Sequence, residues 1–315
     1  MKNIYVTLWG SLLFFAFVLI PTAAEEEEVF IAVVGGTTFG NPATFAEGLA
    51  DTEKTFTIET EAGESPPIHL MRFKGVPFYY IRMYGYEAVQ DGEPEYLAHI
   101  RTWLALYKLG VTHAIGGASS GGIRTDYGYD DLVIIDDYMD MESQRPQNIL
   151  KYAGLERPGI FASFATPYSP SIRALLIDEA VKAQPGYSGN LYLTATFAQH
   201  NPGRFETAAE VRAMRILGAD LCSENIATAT TYARQLGIRF AAICSIANPA
   251  VGVRPFDFED MQASVQRIAA QSIPIVLETI VRIPEEAMEP EPISTGDTYT
   301  GSYTDPDAET HKIVE

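Results

Sequence analysis

Apolar positions along this chain form short continuous runs that alternate with stripes at helical spacing. Val29-Phe30-Ile31-Ala32-Val33-Val34 is unbroken and suits a strand covered on both faces. Two runs, Ile68 to Phe73 and Val76 to Met83, flank Lys74-Gly75 and predict a hairpin. Leu97, Ile100, Leu104 and Tyr107 recur at helical spacing, predicting a helix from Tyr96 to Leu109 that stops at Gly110. A strand over Thr112 to Ile115 then runs into the small residues Gly116 to Gly122, read as a loop at its carboxyl end. Asp131 to Asp137 reads as a buried strand, Tyr138 to Pro170 as a long loop region, Ser171 to Lys182 as a helix and Asn190 to Ala198 as a strand. The next helix starts near Ala208 and ends at Gly218, with Val211, Met214, Ile216 and Leu217 on its apolar face. A helix over Thr228 to Leu236, an apolar strand over Phe240 to Ile246 and a last helix from Phe258 to Ile283 complete the pattern. Strand and helix alternate with small-residue loops at strand ends, which indicates one α/β domain without internal repeats.

The ends change this picture. Lys2, an apolar run from Ile4 to Ile20 and the small residues before Glu25 have the layout of an export signal, so residues 1–24 are expected to be a signal peptide and the mature chain to be periplasmic or secreted. The domain then spans 25–284. Residues 285–315 are rich in Glu, Pro, Thr and Asp without periodicity and read as a disordered acidic tail. The net charge of −19 is spread along the chain, which argues against a nucleic-acid polymer as partner. Only Cys222 and Cys244 occur; their apolar flanks point to burial, with pairing in an oxidising compartment as the alternative. The five histidines are isolated from one another in sequence, so no metal site of zinc type is expected.

Candidate chemistry concentrates between Pro202 and Asn225. Phe205 and Glu206 stand just before a helix, where an aromatic ring and a carboxylate can stack on and hydrogen-bond a flat heterocycle. The same residues also read as an ordinary helix start capped by Thr207 or Glu206. A second candidate is the turn Gly35-Gly36-Thr37-Thr38-Phe39-Gly40 after the first strand, where backbone N–H groups and two hydroxyls can converge on an anion.

Several segments in order carry a resemblance to the purine nucleoside phosphorylase and methylthioadenosine phosphorylase family, over about Phe30 to Ile283. They are VVGGTTFG, ALYKLGVTHAIGGASSGGIR, DLVIIDDYMDMESQRPQ, GRFETAAEVRAMRILGAD and SIANPAVG. The resemblance implies a single-domain α/β fold with a central mixed twisted sheet flanked by helices. It implies no cofactor, phosphate as co-substrate, a small purine nucleoside as substrate and a homotrimer. It assigns phosphate contacts to Thr37 or Thr38 and to Ser119. Phe205 would pack on the purine, Glu206 would bond the ring edge and Asn248 would reach N7, while Ala118, Asn225 and Tyr84 would adjoin the substrate. Two places depart from the family pattern. Where it has Arg-His-Gly this chain has Met83-Tyr84-Gly85, with Arg82 one residue off, and one residue along a strand turns a side chain to the other face. Where it has Gly-Met-Ser or Asn-Met-Thr this chain has Ser223-Glu224-Asn225. Arg82 or Arg145 would then be the substitute cation.

Three activities follow. The first is phosphorolysis of a purine nucleoside. The second is hydrolysis on the same fold, with Glu224 as general base or as holder of the ribose hydroxyls. The third is a purine-binding protein without catalysis.

Overall fold

The structure is a computed structural model that describes residues 28–40, 45, 48–82, 92–156 and 162–283; the expected signal segment, Tyr84 and the acidic tail lie outside the described residues. In chain order the strands are β1 (Ile31–Gly35), β2 (Asp51–Phe56), β3 (Glu59–Thr60), β4 (Gly63–Glu64), β5 (Ile68–Phe73), β6 (Val76–Arg82), β7 (His113–Gly122), β8 (Leu132–Ile134), β9 (Asp137–Asp140), β10 (Leu191–Tyr192), β11 (Thr196–Gln199), β12 (Leu221–Ser223) and β13 (Arg239–Pro249). The helices are α1 (Tyr96–Lys108), α2 (Pro170–Ala183), α3 (Ala208–Ile216), α4 (Ile226–Gln235) and α5 (Phe258–Arg282).

Eleven of these strands form one mixed sheet whose main path runs β10-β8-β13-β7-β1-β6-β5-β2. Side-chain alternation along β1 divides the core in two. Ala32 and Val34 pack with Ile100, Trp103 and Leu104 of α1 and with Ala229 and Tyr232 of α4. Ile31 and Val33 face the opposite way, towards Ile172 and Leu176 of α2 and Val276 and Ile280 of α5. The result is a sheet covered by helices on both faces, the single α/β domain expected. No helix among the described residues is long and apolar enough to cross a membrane.

The centre of the sheet is β7, and it differs from expectation. Gly116 to Gly122 continue the strand instead of forming a loop. β7 pairs in parallel with β1 and with β13, and its last two residues also pair antiparallel with β12. Glycine is required here by close approach. A Cβ on Gly117 would lie 2.5 Å from the Phe39 ring, and one on Gly116 would lie 2.5 Å from the Phe240 ring. Two aromatic rings therefore seal opposite stretches of a strand that has little side chain of its own.

Other departures have local causes. The run Asn190 to Ala198 splits into β10 and β11, which pair with β8 and with β9 and β12 respectively. The supposed loop from Tyr138 begins as a strand, because β11 offers β9 a partner over Asp137 to Asp140. On α3 only Val211 and Met214 are buried; Ile216 and Leu217, expected on the apolar face, are 85% and 60% exposed. The hairpin forms as predicted, with Lys74 and Gly75 both at positive φ (48° and 87°), the geometry of a two-residue turn. Cys222 and Cys244 are separate buried thiols.

Gly117→Ala should lose about 1–3 kcal/mol of stability through overpacking against Phe39. A denaturant midpoint unchanged from the parent would show that the ring moves aside without cost.

Candidate active site

A cavity of about 760 Å³ opens where β7, β12 and β13 end, roofed by the segment before α3 and by the first turns of α5. Thr37, Ser119, Phe205, Glu206, Glu224 and Asn248, all chosen from sequence, line it. Thr38 stands directly behind, with its hydroxyl 3.2 Å from that of Ser119 and 3.5 Å from that of Ser245. Ala118 and Asn225 do not line the cavity. Ala118 is buried with its carbonyl accepting from Ser245, and Asn225 is the buried residue that opens α4.

The two ends of the cavity are chemically distinct. At Ser119 the hydroxyls of Thr37, Thr38, Ser119 and Ser223 gather, and the Ser223 hydroxyl donates to the Ser119 carbonyl at 2.9 Å. Two residues further along β7, Gly121 is in register with Cys222 on one side and Asn248 on the other. Two residues of strand span about 7 Å. Asn248 follows a register shift between Ile246 and Asn248, a bulge that re-aims the end of β13. Its side-chain amide donates to the Pro249 carbonyl at 2.8 Å, and an amide nitrogen carries a second proton.

Sequence gave the start of α3 two readings, and both are realised on neighbouring residues. Thr207 is the cap: it accepts from the Glu210 N–H at 3.2 Å, while the Glu210 carboxylate accepts from the Thr207 N–H at 2.7 Å. Glu206 is thereby released from capping. It is 5% exposed, turned inward, and its Oε1 accepts from the Val251 N–H at 2.8 Å. Gly252, at φ 82°, brings the same loop against α3, where a Cβ would lie 2.6 Å from that of Ala208. The loop after β13 is thus locked to the carboxylate. Phe205 sits at the rim, 44% exposed, in ring contact with Phe256 and Phe258.

Glu224 does not act as a helix-end carboxylate. Its side chain faces the cavity and accepts a hydrogen bond from the Gly203 backbone, and burial pushes its carboxyl up to about 7. Its own carbonyl accepts from Arg145.

That contact corrects one expectation. Arg145 is no phosphate ligand: its guanidinium is held by Glu95 at 2.9 and 3.1 Å and also donates to Thr228 at 3.2 Å, and the residue is 4% exposed. Burial pushes the Glu95 carboxyl up, but hydrogen bonds and charge from His99 and Arg145 outweigh it and hold the group at about 2. Arg145 fixes the backbone at Glu224 from behind. Arg82 ends β6 beside Gly35 of β1, next to the glycine turn, and does not line the cavity. Among the described residues the one lysine or arginine lining it is Arg204, whose guanidinium is bound by Glu210 at 2.6 and 2.8 Å.

Sequence reasoning missed several wall residues. Met261, Gln262, Val265 and Gln266 of α5 recur at helical spacing and face the cavity, a signal present in the periodicity. His200 and Cys222 also line it. The five histidines appeared isolated in sequence, yet His200, Glu206 and Cys222 place ligand atoms within 4.8 Å of one another.

Fold and cavity together define an α/β protein with a partly apolar pocket between a cluster of hydroxyls and a carboxylate-amide pair. The chain matches the model of the Phosphorylase superfamily over residues 31–282 and belongs to that family. It is 29% identical over 231 residues to a probable 6-oxopurine nucleoside phosphorylase of Thermococcus kodakarensis, covering 71% of this chain and 81% of that one. It is 27% identical over 251 residues to an S-methyl-5'-thioadenosine phosphorylase of Pyrococcus furiosus, covering 76% and 90%. In fold it is similar to a methylthioadenosine phosphorylase from an antarctic soil metagenomic library, with a TM-score of 0.68 and 21% identity over 84% of this chain and 96% of that one.

Two measurements probe this geometry. With the Glu224 carboxyl at about 7 folded and near 4.5 unfolded, the folded chain binds the extra proton between those values, so ionisation opposes folding increasingly as pH rises through that window. Glu224→Gln should raise the melting temperature at pH 8 and leave it unchanged at pH 4. Glu95→Ala should cost about 3 kcal/mol in chemical denaturation, because it leaves the Arg145 guanidinium buried without its counter-charge.

Proposed function

We propose that the chain cleaves the N-glycosidic bond of a purine nucleoside by phosphorolysis, giving free base and sugar 1-phosphate. The observation that carries this reading is the two-ended cavity: hydroxyls at Thr37, Ser119 and Ser223, with Thr38 behind Ser119, and about 7 Å along β7 the carboxylate of Glu206 with the amide of Asn248. A nucleoside laid between them has its sugar carbon facing the hydroxyls. A phosphate oxygen attacks C1′ there, the bond to the base nitrogen breaks, and its electron pair passes into the purine ring. The Asn248 N–H donates to N7 and stabilises the charge that develops on the leaving base. Glu206 accepts from the N–H at the far edge of the ring, and Phe205 covers its face. Glu224, level with Ser223, holds the ribose hydroxyls. Phosphate is a co-substrate and no cofactor takes part.

A carboxylate that accepts from a ring N–H favours a 6-oxopurine, which carries such an N–H beside its carbonyl, as in the Thermococcus relative's name. The relation to the family also supports a homotrimer, and the exposed Ile216, Leu217 and Phe258 are apolar side chains such an assembly would cover. Export rests on the charge and hydropathy of residues 1–24.

Purified protein incubated with inosine, adenosine and methylthioadenosine, with and without phosphate, tests the reaction. Base release should require phosphate and yield sugar 1-phosphate, with inosine the best of the three. Release at the same rate without phosphate would make the enzyme a hydrolase, and nucleoside binding without release would remove the enzymatic reading. Asn248→Ala should lower kcat about 10²–10³-fold, the usual cost of removing one donor to a developing anion.

A further inference from the structure

The base end of the cavity holds a donor set of which the proposed reaction uses only Glu206. His200 is 9% exposed, Glu206 5% and Cys222 1%, and one ligand atom from each lies within 4.8 Å of the others. His200 Nδ1 lies 3.0 Å from the Asn201 carbonyl oxygen. A carbonyl only accepts, so Nδ1 carries a proton and donates it, and Nε2 is the ring nitrogen turned towards the cluster. Nε2 lies 3.7 Å from Glu206 Oε2. Imidazole nitrogen and carboxylate face each other in a buried place where the Cys222 thiol also bonds Glu206, so all three side chains converge on a spot that suits a positive centre. A proton on Nε2 would supply one. The thiol of Cys222 in the same cluster selects something else, because thiolate, imidazole and carboxylate together are a borderline-soft metal's ligands.

We propose that His200 Nε2, Glu206 Oε2 and Cys222 Sγ form a binding site for Zn²⁺ or a similar divalent transition metal, occupied in alternation with the purine base. The separations suit it: tetrahedral zinc with these ligands needs donor atoms about 3.3–3.8 Å apart, close to the 3.7 Å between the first two. Three protein ligands leave a fourth position open to the cavity for water. The outer contacts are in place as well. The Asn201 carbonyl fixes the imidazole tautomer, and the Val251 N–H holds Glu206 Oε1 so that Oε2 is presented singly. On binding, the Cys222 S–H bond breaks, its proton leaves to solvent, and the sulfur–metal bond forms. The metal then occupies the carboxylate oxygen that would meet the purine edge. It acts as a competitive inhibitor and not as a cofactor.

The exclusion clause rests on the purine reading above, whereas the site itself does not. Cobalt(II) titrated into the full chain separates the two. One equivalent should bind and give a thiolate-to-metal charge-transfer absorption in the near ultraviolet, and Zn²⁺ should displace it. Cys222→Ser should abolish the absorption and weaken Zn²⁺ at least about 100-fold, since losing even an outer partner of a ligand costs about 10–100-fold. His200→Gln should weaken Zn²⁺ comparably. Inosine should raise the apparent dissociation constant of Zn²⁺ in proportion to its concentration. Absence of the charge-transfer band from the unmodified chain, or Zn²⁺ affinity unchanged in both variants, overturns the site. Full metal binding that inosine does not weaken keeps the site and counts against placing the purine at Glu206.

Discussion

Close approach of aromatic rings to a glycine strand is the constraint on which the rest of this molecule depends. β7 lies at the centre of the sheet, paired with β1 and β13, and it has almost no side chains with which to fill space. Phe39 and Phe240 supply the missing volume at Gly117 and Gly116. Phe39 comes from the turn after β1, so the packing that seals the strand also fixes the turn that carries Thr37 and Thr38. Core and ligand end are therefore positioned by one set of contacts, and the hydroxyl pair at Thr38 and Ser119 is a consequence of how the sheet is filled.

A second layer of positioning works through backbone. Buried Arg145, paired with the half-exposed Glu95, grips the carbonyl of Glu224 and the hydroxyl of Thr228, while the Val251 N–H grips the carboxylate of Glu206. Leaving a buried guanidinium without its counter-charge is costly, while the intact pair adds little net stability, so its value lies in where it holds the chain. Both residues that give the cavity its acidic character are held by backbone N–H groups, Glu206 by Val251 and Glu224 by Gly203. Their side chains can meet a ligand without first being ordered, which spares the entropy that loose side chains lose on binding.

Much of this was legible in the sequence, and the misreadings have physical causes. Continuous apolar runs gave β1, β13 and the hairpin at Lys74-Gly75, because burial on both faces and positive φ leave direct marks on residue choice. The glycine run of β7 was read as a loop because its usual meaning is conformational freedom, whereas here it marks rings contributed by distant segments. Ile216 and Leu217 fit a helical stripe, but α3 is too short for the stripe to stay buried to its end. Arg145 looked available as a cation because sequence does not reveal that Glu95 lies beside it. Phe205, Glu206 and Asn248 were found, being local to strand and helix ends. His200 and Cys222 were not, because each meets the site only when β11 and β12 pair.

The division of labour at the start of α3 has an evolutionary side. Thr207 and Glu210 secure the helix by themselves, so the adjacent Glu206 bears none of that load. In many helices one residue both caps and binds, and any change of ligand then threatens the fold. Here selection can alter Glu206 while the helix keeps its start. A lineage built this way can change what this carboxylate meets without unpicking the helix beside it.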